Sequence, residues 1–281
     1  MTALVATIRL AARGRVSDTV ILALIAALLL IALFGPLIVP DSIYRSDILN
    51  ALQPPNAAHW FGTDDQGRDV FWRVIAGSQV TLVSSVLIVT GFSLIGIIVA
   101  TLATVGPRWL DGFLMRVCDI GLAIPGLVVA LGFAAALGPS LQSAIIAKVI
   151  TGWPMTARFL RAVMRETMTA PFVTGAKVLG VSRFELMIRH VLPNSLDVLV
   201  VKWAGDIGTT ILILAAMSFI GVGAQPPSAE WGAMIAGAKG YVSGAWWVVA
   251  APGLAIALTS ILFGLLGDIL QVWRDPNLRN R

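Results

Sequence analysis

Ionisable residues inside apolar stretches are the positions of this sequence with the most scope for chemistry. Lys148, Lys202 and Asp206 each lie in such a stretch, and Lys202 and Asp206 are four residues apart, so on a helix they share one face. Lys202 and Asp206 could form a local ion pair, or Lys148 and Asp206 could pair between two helices. Alternatively, Asp206 could line a polar path through an apolar structure. Met217 completes our candidate set for such a path.

Motifs of catalysis and of metal binding are absent from the sequence. It contains no G-x-x-x-x-G-K-[ST] phosphate loop, no H-E-x-x-H motif and no paired CxxC. His59 and His190 are far apart, and the lone Cys118 excludes an internal disulfide. We therefore predict no catalytic residues, no metal site and no cofactor bound by this chain, which favours a membrane conduit or scaffold over an enzyme.

The composition indicates an all-α integral membrane protein. Of 281 residues, 57% are hydrophobic and 12% are charged, whereas soluble domains contain about 25% charged residues. The apolar runs are long and unbroken, which predicts helices and not the alternating segments of a membrane barrel. Six spans are predicted, at residues 19–40, 80–105, 117–136, 141–157, 196–222 and 246–270.

The positive charges predict the orientation of these spans. With the N-terminus in the cytoplasm, fourteen Lys and Arg residues lie inside, and only Arg45, Arg68, Arg73 and Lys239 lie outside. We thus expect cytoplasmic termini at 1–18 and 271–281, a first span at 19–40 and an external segment at 41–78. A core of five spans follows at 79–270, with a cytoplasmic loop at 158–195. Asp206 would lie about 15 Å into the fifth span, near the midplane.

One long polar segment, TGAKVLGVSRFELMIRHVLP at residues 174–193, interrupts the apolar chain. A central charge costs about 2.5–3.5 kcal/mol in the bilayer, so this segment is expected on the cytoplasmic side. We predict two short helices, at 174–179 and 182–189, that are separated by a bend at Gly180. Ser182 would cap the second helix, with Glu185 completing a capping box, and Pro193 would begin the fifth span. Such a segment could lie flat on the membrane or enter a groove of a cytoplasmic partner.

This segment resembles the "EAA" loop of ABC importer permeases, whose pattern is E-A-A, three residues, Gly, nine residues, a hydrophobic residue, one residue and Leu-Pro. Four positions match the pattern: Ala176, Gly180, Leu192 and Pro193. Three depart from it: Thr174 for the glutamate, Gly175 for the first alanine and His190 for the hydrophobic residue. The resemblance implies a coupling helix that docks on an ATPase subunit. The residues it assigns to this role are Thr174, Ala176, Lys177, Leu179, Gly180, Val181, Ser182, Arg183, Phe184 and Pro193.

Four further stretches resemble permeases of the peptide/nickel type, and the likeness is closest to their C-type subunit. They are HWFGTDDQGRDVFWRVIAGSQVTL at 59–82, MRVCDIGLAIP at 115–125, AMSFIGVGAQPPSAEWGAMI at 216–235 and PGLAIALTSILFGLLGDILQVWRDPNLR at 252–279. The resemblance implies a type I ABC importer permease fold of six transmembrane helices. It also implies an ATP-driven importer for dipeptides or oligopeptides. Import of nickel or another metal chelate is the alternative, followed by a receptor or scaffold that transports nothing.

The same resemblance implies the setting of the chain. It places the chain in a bacterial inner membrane, surrounded by lipid, with both termini in the cytoplasm. The implied partners are a second permease subunit, two ATPase subunits that bind ATP and Mg, and an extracytoplasmic solute-binding protein, with no role for nucleic acid.

Two external clusters leave alternatives open. Asp64, Asp65 and Asp69 could bind a cation, but we favour helix capping with Thr63 or Asp64 as the N-cap and Arg68 as a local partner. Glu230 and Trp231 follow a proline turn, which predicts a short helix dipping back towards the membrane. That helix could seal the outer mouth or touch the binding protein, and Trp231 could equally be a plain interfacial anchor.

Overall fold

The computed structural model describes residues 2–274, with side chains from residue 16 onward, and this part of the chain has no β-strand. The predicted termini at 1–18 and 271–281 therefore lie partly outside the described residues. The helices are α1 (Thr2–Ile38), α2 (Val70–Val105), α3 (Arg108–Ala123), α4 (Gly126–Leu137), α5 (Leu141–Thr167), α6 (Pro171–Val178), α7 (Arg183–Leu186), α8 (Leu192–Phe219), α9 (Trp231–Ala238) and α10 (Trp247–Arg274). The all-α class expected from the sequence is confirmed.

Four stretches of helix are long and apolar enough to cross a membrane. They are Val16–Ile38 within α1, the whole of α2, the run Arg183–Phe219 and α10. The bent pair of α3 and α4 makes a fifth if it is counted as one span. The predicted fourth span corresponds to α5, which is 27 residues long but carries Lys148 and several arginines. Length and composition within residues 2–274 thus support four or five spans, and the count of six is not confirmed.

The predicted third span is not one helix. The structure breaks it between α3 and α4, whose axes differ by 82°. Ile124 adopts an extended conformation, with φ −90° and ψ 123°, because a following proline disfavours the helical conformation of the residue before it. Pro125 also has no N–H to donate to a preceding turn. The expectation of a continuous helix over 117–136 was therefore wrong.

The bundle is organised around α2 and α8. α2 packs along α5, and α8 packs along α10. Gly208 allows the close approach of α8 and α10, since a β-carbon there would lie 2.7 Å from the Ser260 carbonyl oxygen. One buried cluster includes Ile88, Ile211 and Trp231, and residues of α5, α6, α7 and α8 contribute to a second cluster beneath the polar segment.

Candidate functional site

The coupling segment, which we define as residues 171–193, bends at Gly180. Gly180 has φ +81°, a left-handed conformation that strains any residue with a β-carbon. Two hydrogen bonds close the end of α6, from the Gly180 amide to the Lys177 carbonyl at 3.0 Å and from the Val181 amide to the Ala176 carbonyl at 3.3 Å. This paired closure is typical of a glycine-terminated helix. The bend lies at the residue that the sequence indicated.

Beyond the bend, Ser182 caps α7 and accepts a hydrogen bond from the Glu185 amide at 3.2 Å. The Glu185 carboxylate instead forms an ion pair with Arg189 at 2.6 Å. Only half of the predicted capping box is therefore formed. α6 also begins earlier than predicted, and α5 continues to Thr167, so the start of the predicted loop at 158–195 is helical.

The second helix does not end at Arg189 as predicted. α7 continues through a π turn at Met187–Val191 into α8, which gives one helical run of 37 residues from Arg183 to Phe219. Pro193 follows the π turn as the second residue of α8. The Asn194 side chain donates to the His190 carbonyl at 2.6 Å. The Leu192 amide donates to the Met187 carbonyl across the π turn, so helical hydrogen bonding is altered directly before the proline, which has no N–H of its own.

The coupling segment has a buried face and an exposed apolar face. Its buried face packs Val173, Leu186 and Met187 against a cluster that includes Leu160 and Met164. On the other face, Val178, Leu179 and Phe184 are 83%, 84% and 66% exposed. Large apolar side chains exposed together are typical of an interaction surface.

The remaining predicted coupling residues divide between the two faces. Val181 is half-buried and packs against the buried cluster. Ala176 is half-buried there as well. The exposed polar members flank the apolar surface: Thr174, Lys177, Ser182 and Arg183, with Pro193 further along. We call Val178, Leu179 and Phe184, with Lys177 and Arg183, the docking surface.

Within α8, Lys202 and Asp206 form an ion pair, and their side chains are 20% and 21% exposed. The Lys202 ammonium also lies 5.9 Å from the ring centroids of Phe92 and Phe159, within range of cation–π attraction. Among the described residues, Lys148 forms no ion pair with Asp206. Of the two pairings left open by the sequence, the structure contains the local one.

A cavity of about 430 Å³ lies where α3 breaks into α4, and α5 and α8 complete its walls. Pro125 and Gly126 line it at the break, Lys148 and Thr151 from α5, and Met217 from α8. Two of the four residues predicted for a path therefore meet here. Lys202 and Asp206 do not line this cavity, and sequence reasoning missed the contribution of the break at Pro125.

The predicted short helix near Glu230 is α9, and both residues singled out there are buried. Glu230 is the N-cap of α9 and accepts hydrogen bonds from the amides of Gly232 at 3.0 Å and Ala233 at 2.9 Å. Burial raises the pKa of its carboxyl above the usual range. Trp231 donates from its indole nitrogen to the Val74 carbonyl at 2.9 Å. The interpretations of Trp231 as an interfacial anchor and of either side chain as a direct contact for a binding protein were therefore wrong.

The acidic cluster before α2 is structural in the described residues. Asp69, not Thr63 or Asp64, is the N-cap of α2 and accepts from the Trp72 amide at 3.1 Å. Asp64 forms the expected ion pair with Arg68, at 2.7 Å. Asp65 is partly exposed beside it. Within residues 2–274, no group of three or more His, Cys, Asp or Glu side chains could hold a metal ion.

Arg73 holds three loops together from a buried position in the first turn of α2. Its guanidinium donates to the carbonyls of Ile43 at 2.9 Å and Ser228 at 3.1 Å, and lies 3.5 Å from the Asp64 carboxylate. These partners belong to the loop after α1, the loop before α9 and the loop before α2. One side chain therefore contacts all three loops at this end of the bundle.

These features define an integral-membrane transport component: a helical bundle with apolar spans, a central cavity with a lysine, and an exposed docking surface at one end. The chain belongs to the family of binding-protein-dependent transport system inner membrane components, whose model matches residues 92–280. It is a multi-pass protein of the inner membrane, in a family of transport components and not of enzymes. The resemblance seen in the sequence is thereby confirmed.

Characterised relatives cover most of the chain. It is 42% identical to the probable D,D-dipeptide transport system permease protein DdpC of Escherichia coli strain K12, over 90% of this chain and 85% of that protein. It is 38% identical to the dipeptide transport system permease protein DppC of Alkalihalophilus pseudofirmus, over 92% of this chain and 85% of that protein. These relatives identify the chain as an ABC importer permease subunit.

A solved structure shares the fold. An inward-facing conformation of the MetNI methionine ABC transporter superposes with a TM-score of 0.62, at 18% identity, and covers 73% of this chain and 98% of that one. The likeness confirms the predicted fold, apart from the count of six spans.

Proposed function

We propose that the chain moves dipeptides or oligopeptides across the inner membrane, in a path that it forms with a second permease subunit. The observation that carries this proposal is the helical run Arg183–Phe219. Its cytoplasmic end belongs to the coupling segment, and its other end carries Met217 into the cavity wall. One continuous helical run therefore joins a surface for an energy-supplying partner to a space for solute. The names of the two relatives support a peptide as the solute.

The energy comes from partner subunits in this proposal. Two ATPase subunits bind ATP and Mg and receive the docking surface of each permease, and an extracytoplasmic solute-binding protein delivers the peptide. Closure of the ATPases draws the coupling segments together and turns the cavity outward, and their reopening returns it inward. The permease supplies two arrangements of similar energy, which its partners favour in turn.

This proposal includes the orientation of the chain. The docking surface faces the cytoplasm, and both termini lie on that side. Protease added to intact right-side-out cells should spare tags at either terminus and should cut them once the membrane is permeabilised. Cleavage of the N-terminal tag in intact cells would contradict the orientation.

ATP-dependent uptake in vesicles tests the function. The permease pair and the ATPases are reconstituted, the solute-binding protein is added outside, and uptake of a labelled dipeptide is measured with ATP or with a non-hydrolysable analogue inside. We expect accumulation only with ATP. Accumulation of a nickel chelate without any peptide would favour the metal-chelate alternative, and no accumulation of either would favour a receptor or scaffold.

A further inference from the structure

We propose that the ammonium group of Lys148 binds the carboxylate of the transported solute, in the cavity at the break between α3 and α4. This inference rests on the proposed peptide transport and assigns one recognition contact within it. The charge of Lys148, its lack of a partner and the composition of the cavity wall support it in turn.

Most side chains of the cavity wall are apolar, and Lys148 supplies its one side-chain charge among the described residues. Leu122, Ile124, Ile213 and Met217 supply hydrocarbon and thioether surface, and Lys148 is the only ionisable side chain among the described residues that line the cavity. The Thr151 hydroxyl donates to the Ala147 carbonyl at 2.9 Å, so its proton is already used within α5. An apolar pocket with one placed polar group is the usual form of a small-molecule site, and about 430 Å³ is within the usual range.

Lys148 has no hydrogen bond or ion pair from its ammonium group to any described residue. Lys202, by contrast, is fully engaged by Asp206 and by the rings of Phe92 and Phe159. Lys148 is half-buried, and a partly enclosed ammonium without a protein partner in a membrane protein is compensated by water or by an anion. Of the two lysines, Lys148 is therefore the one available to a solute.

The charges around Lys148 leave one positive charge uncompensated. Asp206 and Lys202 are the charged groups close enough to act on Lys148. Asp206 is the one carboxylate of this group, and it is bound to Lys202. The net charge of these three side chains is +1, which attracts an anion.

The start of α4 adds to this attraction. Gly126 and Leu127 begin the helix and also line the cavity. The first amides of a helix have no partner within it, and they carry partial positive charge. A carboxylate beside Lys148 would therefore meet positive potential from two elements, while the side chains of a peptide would meet the apolar wall.

A cysteine reporter tests the charge of the cavity without any assumption about the solute. Cys118 is replaced by serine and Ala216→Cys is introduced in the cavity wall, in the complete reconstituted complex. The rate of modification by an anionic methanethiosulfonate, carrying a sulfonate, is divided by the rate for a cationic one, carrying a trimethylammonium. Loss of a unit charge several Å away should lower this ratio by about five- to tenfold in Lys148→Met.

Two variants serve as controls. Lys148→Arg should keep the ratio, because it keeps the charge. Lys239→Met removes the same charge from an exposed position after α9 and should leave the ratio unchanged. An unchanged ratio in Lys148→Met would overturn the inference. No modification of the introduced cysteine by either reagent would also overturn it, since the cavity would then be closed to solutes from both sides.

Uptake then tests the carboxylate itself. A dipeptide is compared with its C-terminal amide, and each uptake rate is divided by the fraction bound to the solute-binding protein, measured separately. We expect Lys148→Met to lower the preference for the acid by at least about fivefold and Lys148→Arg to retain it. An equal loss for acid and amide would refute carboxylate recognition. If the parent complex takes up no peptide, the proposed function fails, and the cysteine reporter still decides the charge of the cavity.

Discussion

The ion pair between Lys202 and Asp206 permits a quantitative prediction. Asp206→Asn removes the carboxylate and leaves Lys202 without its partner in α8, while Lys202→Met does the reverse. We expect each single variant to be less stable than the parent and the double variant Lys202→Met/Asp206→Asn to recover part of the loss. The reason is that breaking an enclosed pair leaves an uncompensated charge, whereas removing both partners leaves none.

The exposure of the pair sets the magnitude. Exposed pairs contribute about 0–1 kcal/mol, and removal of one partner from a fully buried pair costs about 3–5 kcal/mol. At 20% and 21% exposure, this pair lies between the two limits, so we expect about 1–3 kcal/mol for Asp206→Asn. The rings of Phe92 and Phe159 still attract the stranded ammonium, which places this variant in the lower half of that range.

SDS-titrated unfolding of the purified chain in mixed micelles measures these free energies, and the coupling energy follows from the four variants of the cycle. The matched control is Lys148→Met/Asp206→Asn. The structure predicts that adding Lys202→Met to Asp206→Asn recovers part of the lost stability and that adding Lys148→Met recovers none. If stability is recovered by adding Lys148→Met and not by adding Lys202→Met, Asp206 pairs between helices. Equal stability of the parent and of Asp206→Asn would refute both pairings.

Three other predictions concern the two ends of the molecule. Arg73→Met should lower the free energy of unfolding by about 3–5 kcal/mol in the same titration, since it strands the carbonyls of Ile43 and Ser228 and removes one of the two cations beside the Asp64 carboxylate. A loss below about 1 kcal/mol would show that Arg73 does not hold these loops together. Gly180→Val and Phe184→Asp should each abolish co-purification with the ATPases or uncouple ATP hydrolysis from uptake, while the chain still inserts into the membrane. Normal uptake in both variants would exclude this surface as the ATPase contact. Because burial raises the pKa of Glu230, the folded protein should lose stability as the pH rises from the usual pKa of 4.5 through the raised value. The thermal midpoint of unfolding should depend less on pH in Glu230→Gln than in the parent over this range. The same pH dependence in both proteins would contradict the argument.

Local chemistry made part of the candidate site predictable from the sequence. Gly180 stands out because few other residues adopt a left-handed conformation, and Ser182 because its hydroxyl caps a helix. The spacing of Lys202 and Asp206 places them on one helix face, and the structure pairs them. Each of these predictions depends on residues within one turn of helix from each other.

Features that depend on distant contacts were not predictable in the same way. Trp231 was ambiguous because an indole suits both a membrane interface and a buried site with a carbonyl partner; the carbonyl is supplied by Val74, far away in sequence. Asp69 is the cap of α2 because the helix begins at Val70, whereas Asp64 lies earlier in the loop and is engaged by Arg68 and Arg73. The break at Pro125 was an exception, since proline and its effect on Ile124 are visible in the sequence, but the apolar run around it suggested a continuous span.

In the proposed transport cycle, the continuity of the run Arg183–Phe219 determines how movement at the docking surface reaches the solute. At 1.5 Å per residue this run is about 55 Å long, which exceeds the thickness of the hydrocarbon core. The half towards Phe219 is held by α9, because a β-carbon at Gly232 would lie 2.4 Å from the Ala215 α-carbon. The end next to the docking surface contains the π turn at Met187–Val191 and Pro193, where helical hydrogen bonding is already altered. A displacement of the coupling segment would therefore either bend the run at this turn or tilt it about the contact with α9. Leu186 and Met187 are buried in a cluster with residues of α2, α5 and α8, and this packing opposes bending, so we expect tilting, which shifts the middle of α8 relative to Lys148.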